Sequence, residues 1–268
     1  MKVSVIIPTY KPQDYIWECL DSLTKQTFDY NSFEIIIVLN GCCEPWKSEL
    51  ESYIEANMSM MNVKLVQTDQ GGVSNARNIG LNNANGEYVT FIYDDDYISP
   101  SYLEELYSLT DKDTIALCYP YAFKDENPEM QIRNYKLTEQ YDEHYSKGKL
   151  SYHLPRAFFA GPWMKLIPAK LIRDRRFNIN FCNGEDSLFM FQISDRFNYV
   201  HFTSKQAVYF RRYRNLSAVT SPRPRSQKIL NGLKLILEYS KIYFKAPSRY
   251  SFKFYFTRIL ASFHSMIV

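Results

Sequence analysis

The residues best suited to chemistry in this 268-residue chain lie in short polar clusters, most of them placed just after an apolar run. The densest is Asp94-Asp95-Asp96, which follows Tyr88–Ile92. Three adjacent carboxylates repel one another unless a cation neutralises them. Hard divalent ions such as Mg²⁺ and Mn²⁺ bind through one or two carboxylates together with substrate phosphates. An acidic turn leading into a helix near 100–109 would use the same residues without a metal. Gly71-Gly72 opens the stretch through Asn78 just before a helix start. Glycines there permit close backbone approach, and a helix N-terminus favours anions; a plain loop capped by Ser74 is the alternative. About 90 residues beyond the acidic run stands Gly184-Glu185-Asp186, again before an apolar helix. Its paired carboxylates either supply a base or cap that helix. Arg211, Arg212 and Arg214 either clamp phosphate or form a solvated basic strand end. The four histidines are scattered, without ligand spacing.

The elements that position these groups are legible in the first hundred residues. Val3–Ile7, Glu34–Leu39, Val63–Gln67 and Tyr88–Ile92 are short apolar runs of the kind found in buried parallel strands. Between them, Tyr15–Gln26, Trp46–Asn57 and residues 74–83 have helical spacing. This alternation predicts an open, mostly parallel α/β sheet. Ligands bind such sheets beyond the carboxyl ends of the strands. Pro8-Thr9-Tyr10, Asn40-Gly41, Asp69-Gln70-Gly71-Gly72 and Tyr93–Asp96 would therefore converge on one crevice. The segment from about 110 to 154 is polar and tyrosine-rich, with no clear period. Residues 157–172 and Arg175–Phe181 read as a strand or helix pair, Ser187–Ile193 as a short helix, and Tyr199–Phe202 and Ala207–Phe210 as strands.

Composition narrows the class. Apolar residues make up 46% and charged residues 23%, which excludes disorder and collagen-like repeats. Five cysteines with no CxxC spacing disfavour a disulfide framework or a zinc ribbon and point to reduced, cytoplasmic thiols. No apolar run reaches the roughly 18 residues of a spanning helix. The opening MKVSVIIPTY runs straight into a strand pattern, not into the longer apolar core of a secretion signal. GxGxxG and GxxxxGK[ST] are absent, which disfavours a dinucleotide site or a nucleoside-triphosphatase. The net charge of +3 conceals an asymmetry: from Arg223 onward nine Lys and Arg face only Glu238. That tail reads as two amphipathic helices split near Ala246-Pro247, fit for an anionic membrane surface or for packing on the body or a sister subunit.

Taken together, the motifs resemble glycosyltransferase family 2 with the GT-A fold. The stretches that carry the resemblance are Val3–Tyr10, Leu23–Thr27, Phe33–Val38, Gly72–Gly80, Ala84–Tyr88, the acidic run and Gly184–Asp186, covering residues 1 to about 217. The resemblance implies a Rossmann-like, mostly parallel sheet flanked by helices, with a helical C-terminal extension. Residues 1–220 would be the catalytic domain, with a nucleotide half to about 109 and an acceptor half beyond it, and 221–268 the tail. Pro8, Thr9 and Tyr10 would line the base pocket, with Gln70, Arg77, Asp94 and Arg212 also toward the nucleotide sugar. Asp95, with Asp96, would hold Mn²⁺ or Mg²⁺. Asp186 would be the catalytic base, with Glu185 beside it. Two positions depart from the family pattern: Asn40 replaces the carboxylate that usually meets the base, and Tyr93 replaces the first acid of the usual Asp-X-Asp. The Asn40 amide retains an acceptor and a donor that match uracil N3–H and O4. The implied reaction is inverting transfer from a UDP-sugar to a hydroxyl of a glycan, lipid-linked or protein-linked acceptor. It would take place in the cytoplasm or at the cytoplasmic membrane face, with a lid around 211–217, peripheral membrane or subunit contact through 226–268, and no nucleic acid partner. A sugar nucleotidyltransferase is the first rival, disfavoured by Pro8–Pro12 where it needs a glycine-rich loop. An inactive binding module working through its tail is the second.

Overall fold

The computed structural model describes residues 1–181, 183–214 and 224–267. The chain opens as strand and helix in alternation: β1 (Val3–Thr9), α1 (Tyr15–Thr24), β2 (Phe33–Asn40), α2 (Trp46–Asn57), β3 (Asn62–Thr68), α3 (Val73–Asn83) and β4 (Tyr88–Phe91). There follow β5 (Tyr97–Ile98), α4 (Tyr102–Leu109), β6 (Thr114–Leu117), β7 (Tyr119–Lys124), β8 (Asn127–Gln131), α5 (Lys136–His144), β9 (Leu150–Ser151), β10 (Lys165–Pro168) and α6 (Ala169–Ile172). The chain continues through α7 (Glu185–Ile193), β11 (Tyr199–Phe202), β12 (Val208–Tyr213), α8 (Arg225–Lys245) and α9 (Phe252–Ile267).

The main sheet has the order β3-β2-β1-β4-β10-β6-β11-β9. Its first four strands are parallel, and β10 is inserted antiparallel between β4 and β6. Every residue of β1 and β2 is buried, as expected at the centre of a sheet covered on both faces. A buried acid secures the amino ends. Glu34 accepts from Ser4 Oγ at 2.6 Å and from the Asn85 backbone N–H at 2.6 Å, so the turn before β4 is tied to β1 and β2. At the carboxyl ends Thr9 pairs with Leu39 and Asn40 with Thr68, so the strands finish level.

The chain also builds a second sheet, β5-β12-β7-β8, two of whose strands come from the middle segment that has no clear period in sequence. Its strands are two to six residues long, too short for a period to show. Arg175–Phe181, expected as strand or helix, has no regular structure. Arg211–Tyr213 belong to β12, paired with β7, so they are sheet and not lid; residues 215–217 of that expectation lie outside the described residues.

The tail shares the core of the body. α8 and α9 form an antiparallel hairpin in which Tyr243 stacks on Tyr255 at 4.5 Å and Gly232 lies against Met266. Leu235, Tyr239 and Phe254 are buried, and Phe191 of α7 packs against both Tyr239 and Phe254. Ser187 of α7 shares a hydrogen bond with the Tyr239 hydroxyl at 2.7 Å. Asp195, just past α7, is gripped by Arg175 at 2.6 and 2.8 Å and by Arg249 of the hairpin at 2.9 Å. Because hairpin and body share one core, Leu235→Ala should lower the stability of the whole chain by about 2–5 kcal/mol in a single denaturation transition. A second transition, with the body's midpoint unchanged, would mean the tail folds apart.

Candidate active site

The site is built where β1–β4 end. Asn40, buried at the end of β2, donates from Nδ2 to the Thr9 carbonyl at 2.6 Å and accepts the Gly72 N–H at Oδ1 at 2.9 Å. Both ends of the amide are thus engaged in holding the end of β1 and the loop before α3 together. This corrects the expectation that Asn40 reads the base. Gly41 has φ +67°, and a Cβ there would lie 2.9 Å from the Gly71 Cα, so only glycine lets the two loops touch. Thr9 is buried with its hydroxyl donating to Asp94 Oδ2 at 2.6 Å, and Pro8 is also buried; both shape the wall without facing the crevice. Tyr10 is 54% exposed and presents its ring beside Gly41; Gln70 is exposed beyond β3.

The acidic run divides into three roles. Asp96 is buried, and its Oδ1 accepts the Arg212 backbone N–H at 2.8 Å, so it clamps β12 by one oxygen and its expected part in metal binding would rest on the other. Burial pushes the pKa of its carboxyl well above the usual carboxylate range, with the neighbouring Asp95 charge adding to the effect. Asp94 is pushed up to about 7, by burial first and then by Asp95. Asp95 Oδ2 is paired with the Arg214 guanidinium at 2.7 Å, and Arg214 lies over the Tyr15 ring. Arg212, expected to face the donor, is instead bonded to Glu18, Asp125 and the Asp95 carbonyl. Arg211 is held between Tyr135, Tyr213 and Trp163. Arg214 is the arginine of the three whose guanidinium is ion-paired with a carboxylate of the run.

Behind the strand ends, α3 and α7 meet through a buried ion cluster. Arg77 of α3 is 2% exposed. Its Nη1 lies 2.7 Å from Asp186 Oδ1 and 3.5 Å from Glu185 Oε1, and its Nη2 donates to the Tyr93 hydroxyl at 3.0 Å. Tyr93 donates to Asp186 Oδ2 at 2.7 Å, which brings the first turn of α7 alongside the end of β4. The guanidinium also lies over the Tyr93 and Phe177 rings at 5.3 and 5.2 Å. Arg77 therefore serves the two carboxylates, which corrects its expected place among the nucleotide contacts. Burial, and then the Asp186 charge, raise Glu185 above its usual range. Gly184 enters α7 at φ +83°, and a Cβ there would lie 2.6 Å from Leu235 Cδ1 of α8. Asn231 of α8 donates to the Asn183 carbonyl at 3.0 Å, so the hairpin braces this turn from behind.

One buried group was not singled out from sequence. Lys165 is buried on β10, donating from Nζ to the Gly161 and Trp163 carbonyls at 2.6 and 2.5 Å. It fixes the turn that sets Trp163 against Tyr93, with ring centroids 5.1 Å apart. Burial pushes its ammonium down to about 7, opposed by Cys118 and Asp186. A buried lysine carries no sequence signal beyond an apolar setting.

Among the described residues no three His, Cys, Asp or Glu side chains gather into a metal cluster. The donor set nevertheless fits a hard cation shared with substrate oxygens. Asp95, beside Asp94, already balances a positive charge at its outer oxygen, that of Arg214.

Polar groups gathered at the carboxyl ends of a mostly parallel sheet define an α/β protein of the kind that binds its ligands beyond those ends. The chain belongs to glycosyl transferase family 2, whose profile matches residues 4–197. Glycosyltransferase GlyA of Streptococcus pneumoniae is 31% identical over 193 residues, which is 69% of this chain and 27% of that protein. TarS of Staphylococcus aureus, a poly(ribitol-phosphate) β-N-acetylglucosaminyltransferase, is 37% identical over 112 residues, or 42% of this chain and 19% of that protein. The chain thus spans only about a quarter and a fifth of the lengths of these relatives. The crystal structure of S. aureus TarS 1–349 in complex with UDP-GlcNAc matches with a TM-score of 0.71 at 23% identity, over 89% of this chain and 66% of that one. Mannosyltransferase PcManGT from Pyrobaculum calidifontis, in complex with GDP-Man and Mn²⁺, matches with a TM-score of 0.62 at 17% identity, over 99% of this chain and 69% of that one. The fold is accordingly GT-A, with a helical C-terminal region.

Two outcomes follow from this geometry. Arg77→Met leaves Glu185 and Asp186 buried without their cation and should cost about 3–5 kcal/mol in denaturant unfolding. Adding Glu185→Gln should recover part of that loss, and a purely additive double variant would argue against the cluster. Lys165 binds fewer protons folded than unfolded between about 7 and its ordinary 10.5, so its contribution to stability rises over that interval. The wild type should gain stability relative to Lys165→Met as pH is raised from 7 toward 10; a constant difference would contradict the depressed ammonium.

Proposed function

We propose that this protein is an inverting glycosyltransferase that moves a sugar from a UDP-sugar to a hydroxyl of a surface glycan or glycoconjugate acceptor. The observation that carries the reading is the placement of Asp186: its carboxylate is bonded to Tyr93 at the end of β4 and paired with Arg77. A carboxylate fixed beside a nucleotide-type crevice is suited to accept a proton from an incoming hydroxyl.

The exposed Tyr10 ring stacks on the base, and Gln70 with the Gly71-Gly72 backbone flanks the ribose and diphosphate. The complex of the relative TarS with UDP-GlcNAc supports uridine. Asp95, with Asp94 beside it, would hold Mn²⁺ or Mg²⁺, which when bound neutralises the diphosphate leaving group; the Mn²⁺ in the PcManGT complex supports that choice. Asp186 takes the acceptor hydroxyl proton, the freed oxygen pair forms a bond to the anomeric carbon, and the carbon–oxygen bond to UDP breaks with its electrons leaving on the diphosphate. One displacement inverts the anomeric centre. Trp163 and Tyr93 border the acceptor side. The names of the relatives, TarS among them, support a polymer acceptor. The free Cys19, Cys42, Cys43 and Cys118 suit a reducing cytoplasmic setting.

Asp186→Asn should cut kcat for UDP-sugar turnover by roughly 10²–10⁴-fold while leaving the calorimetric affinity for UDP unchanged. Lost UDP affinity with kcat preserved would make Asp186 a binding or capping group and overturn the assignment.

A further inference from the structure

The tail hairpin carries two apolar surfaces, and the fold uses one of them. On α8 the buried residues are Gly232, Leu235 and Tyr239. Leu230, Leu233, Leu237 and Phe244 lie on the opposite side at i, i+3, i+7 and i+14, one stripe of an α-helix, and all four are exposed, Leu237 by 68% and Phe244 by 69%. α9 repeats the pattern. Phe254 and Ser262 are buried, while Phe252, Phe256, Leu260, Phe263 and Ile267, at i, i+4, i+8, i+11 and i+15, are exposed. Where the hairpin closes, the stripes approach one another: Phe244 and Phe252 both lie about 6 Å from the Tyr255 ring. Stripes of this size on a soluble surface mark a docking face.

The charge at the rim identifies the occupant. Lys234, Lys241 and Lys245 are exposed and follow one edge of the α8 stripe at i, i+7 and i+11, with exposed Lys253 beginning α9. Glu238 is the single acid from residue 223 onward. We infer that the exposed face of the α8–α9 hairpin docks on an anionic lipid bilayer, with its apolar stripes at the acyl boundary and its lysines among the headgroups. Among the described residues no helix is long and apolar enough to cross a membrane. A second copy of the chain is the poorer occupant, since a two-fold interface would bring the same lysines together from both sides. The buried side of α8 braces Asn183-Gly184, so docking fixes the orientation of the α7 turn toward the bilayer. The inference does not depend on the sugar-transfer reading.

The test is co-sedimentation of the full chain with phosphatidylcholine vesicles, with and without phosphatidylglycerol. Each basic residue near an anionic surface contributes about five-fold, so Lys234→Gln/Lys241→Gln/Lys245→Gln should weaken binding to the anionic vesicles about 100-fold. Leu237→Glu/Phe256→Glu should abolish it. Both variants change exposed side chains and should keep the wild-type melting temperature and the light-scattering mass. Added salt should weaken wild-type binding. Equal binding to neutral and anionic vesicles, or binding that neither variant reduces, overturns the proposal. Loss of a dimer in Leu237→Glu/Phe256→Glu with lipid binding unchanged also overturns it, and assigns the face to a second copy.

Discussion

A buried guanidinium between two adjacent carboxylates is the constraint around which this molecule is arranged. Glu185 and Asp186 begin the same helix, so one cannot turn away from the other, and both are largely withdrawn from water. Two such charges are tolerable only with a cation at hand. Arg77 supplies it from α3, its planar fork reaching both acids while its faces lie over Tyr93 and Phe177. The pairing fixes three things at once: the rotation of α3, the approach of α7 and the position of the β4 end through the Tyr93 hydroxyl. α8 then closes the arrangement from behind, with Leu235 seated on Gly184.

The strand ends obey a related rule. Loops that converge on a crevice carry backbone polar groups that must be satisfied, and here polar side chains meet that need. Asn40 bonds Thr9 to Gly72, Thr9 bonds Asp94, and Asp96 bonds the backbone of Arg212. These residues stand at the positions where ligand contacts are sought. What they leave facing the opening is a short set: the Tyr10 ring, Gln70, the glycine loop and Asp95 with its arginine counterion.

This division explains what could be read from sequence. The β1–β4 half was legible because its strands are apolar runs separated by helices with a clear period, and α2 spans the expected Trp46–Asn57. The convergence of the polar clusters followed from the topology alone, and the fold agrees with the resemblance. The second sheet was not legible because β5, β7 and β8 are short strands whose order depends on pairing with β12, some ninety residues further on. Within the site, residue type located the acids but not their duties. Asp94, Asp95 and Asp96 are chemically identical in sequence, and only their partners, Thr9, Arg214 and the Arg212 backbone, distinguish them. The same holds for Arg77, whose two carboxylate partners lie more than a hundred residues away. The tail's amphipathic pattern was visible, but which apolar face the body would take was decided by Phe191 and Gly184.

The central claim is that Asp186 is held to take a proton from an oxygen nucleophile attacking a nucleotide sugar in one displacement. Its most direct measurement is the anomeric configuration of the first sugar released when water replaces the acceptor, followed by proton NMR from an α-linked UDP-sugar before mutarotation. The account predicts that the β-anomer appears first and that the Asp186→Asn variant releases neither anomer at a comparable rate. Initial release of the α-anomer would contradict it, because retention requires a different arrangement of groups around the anomeric carbon.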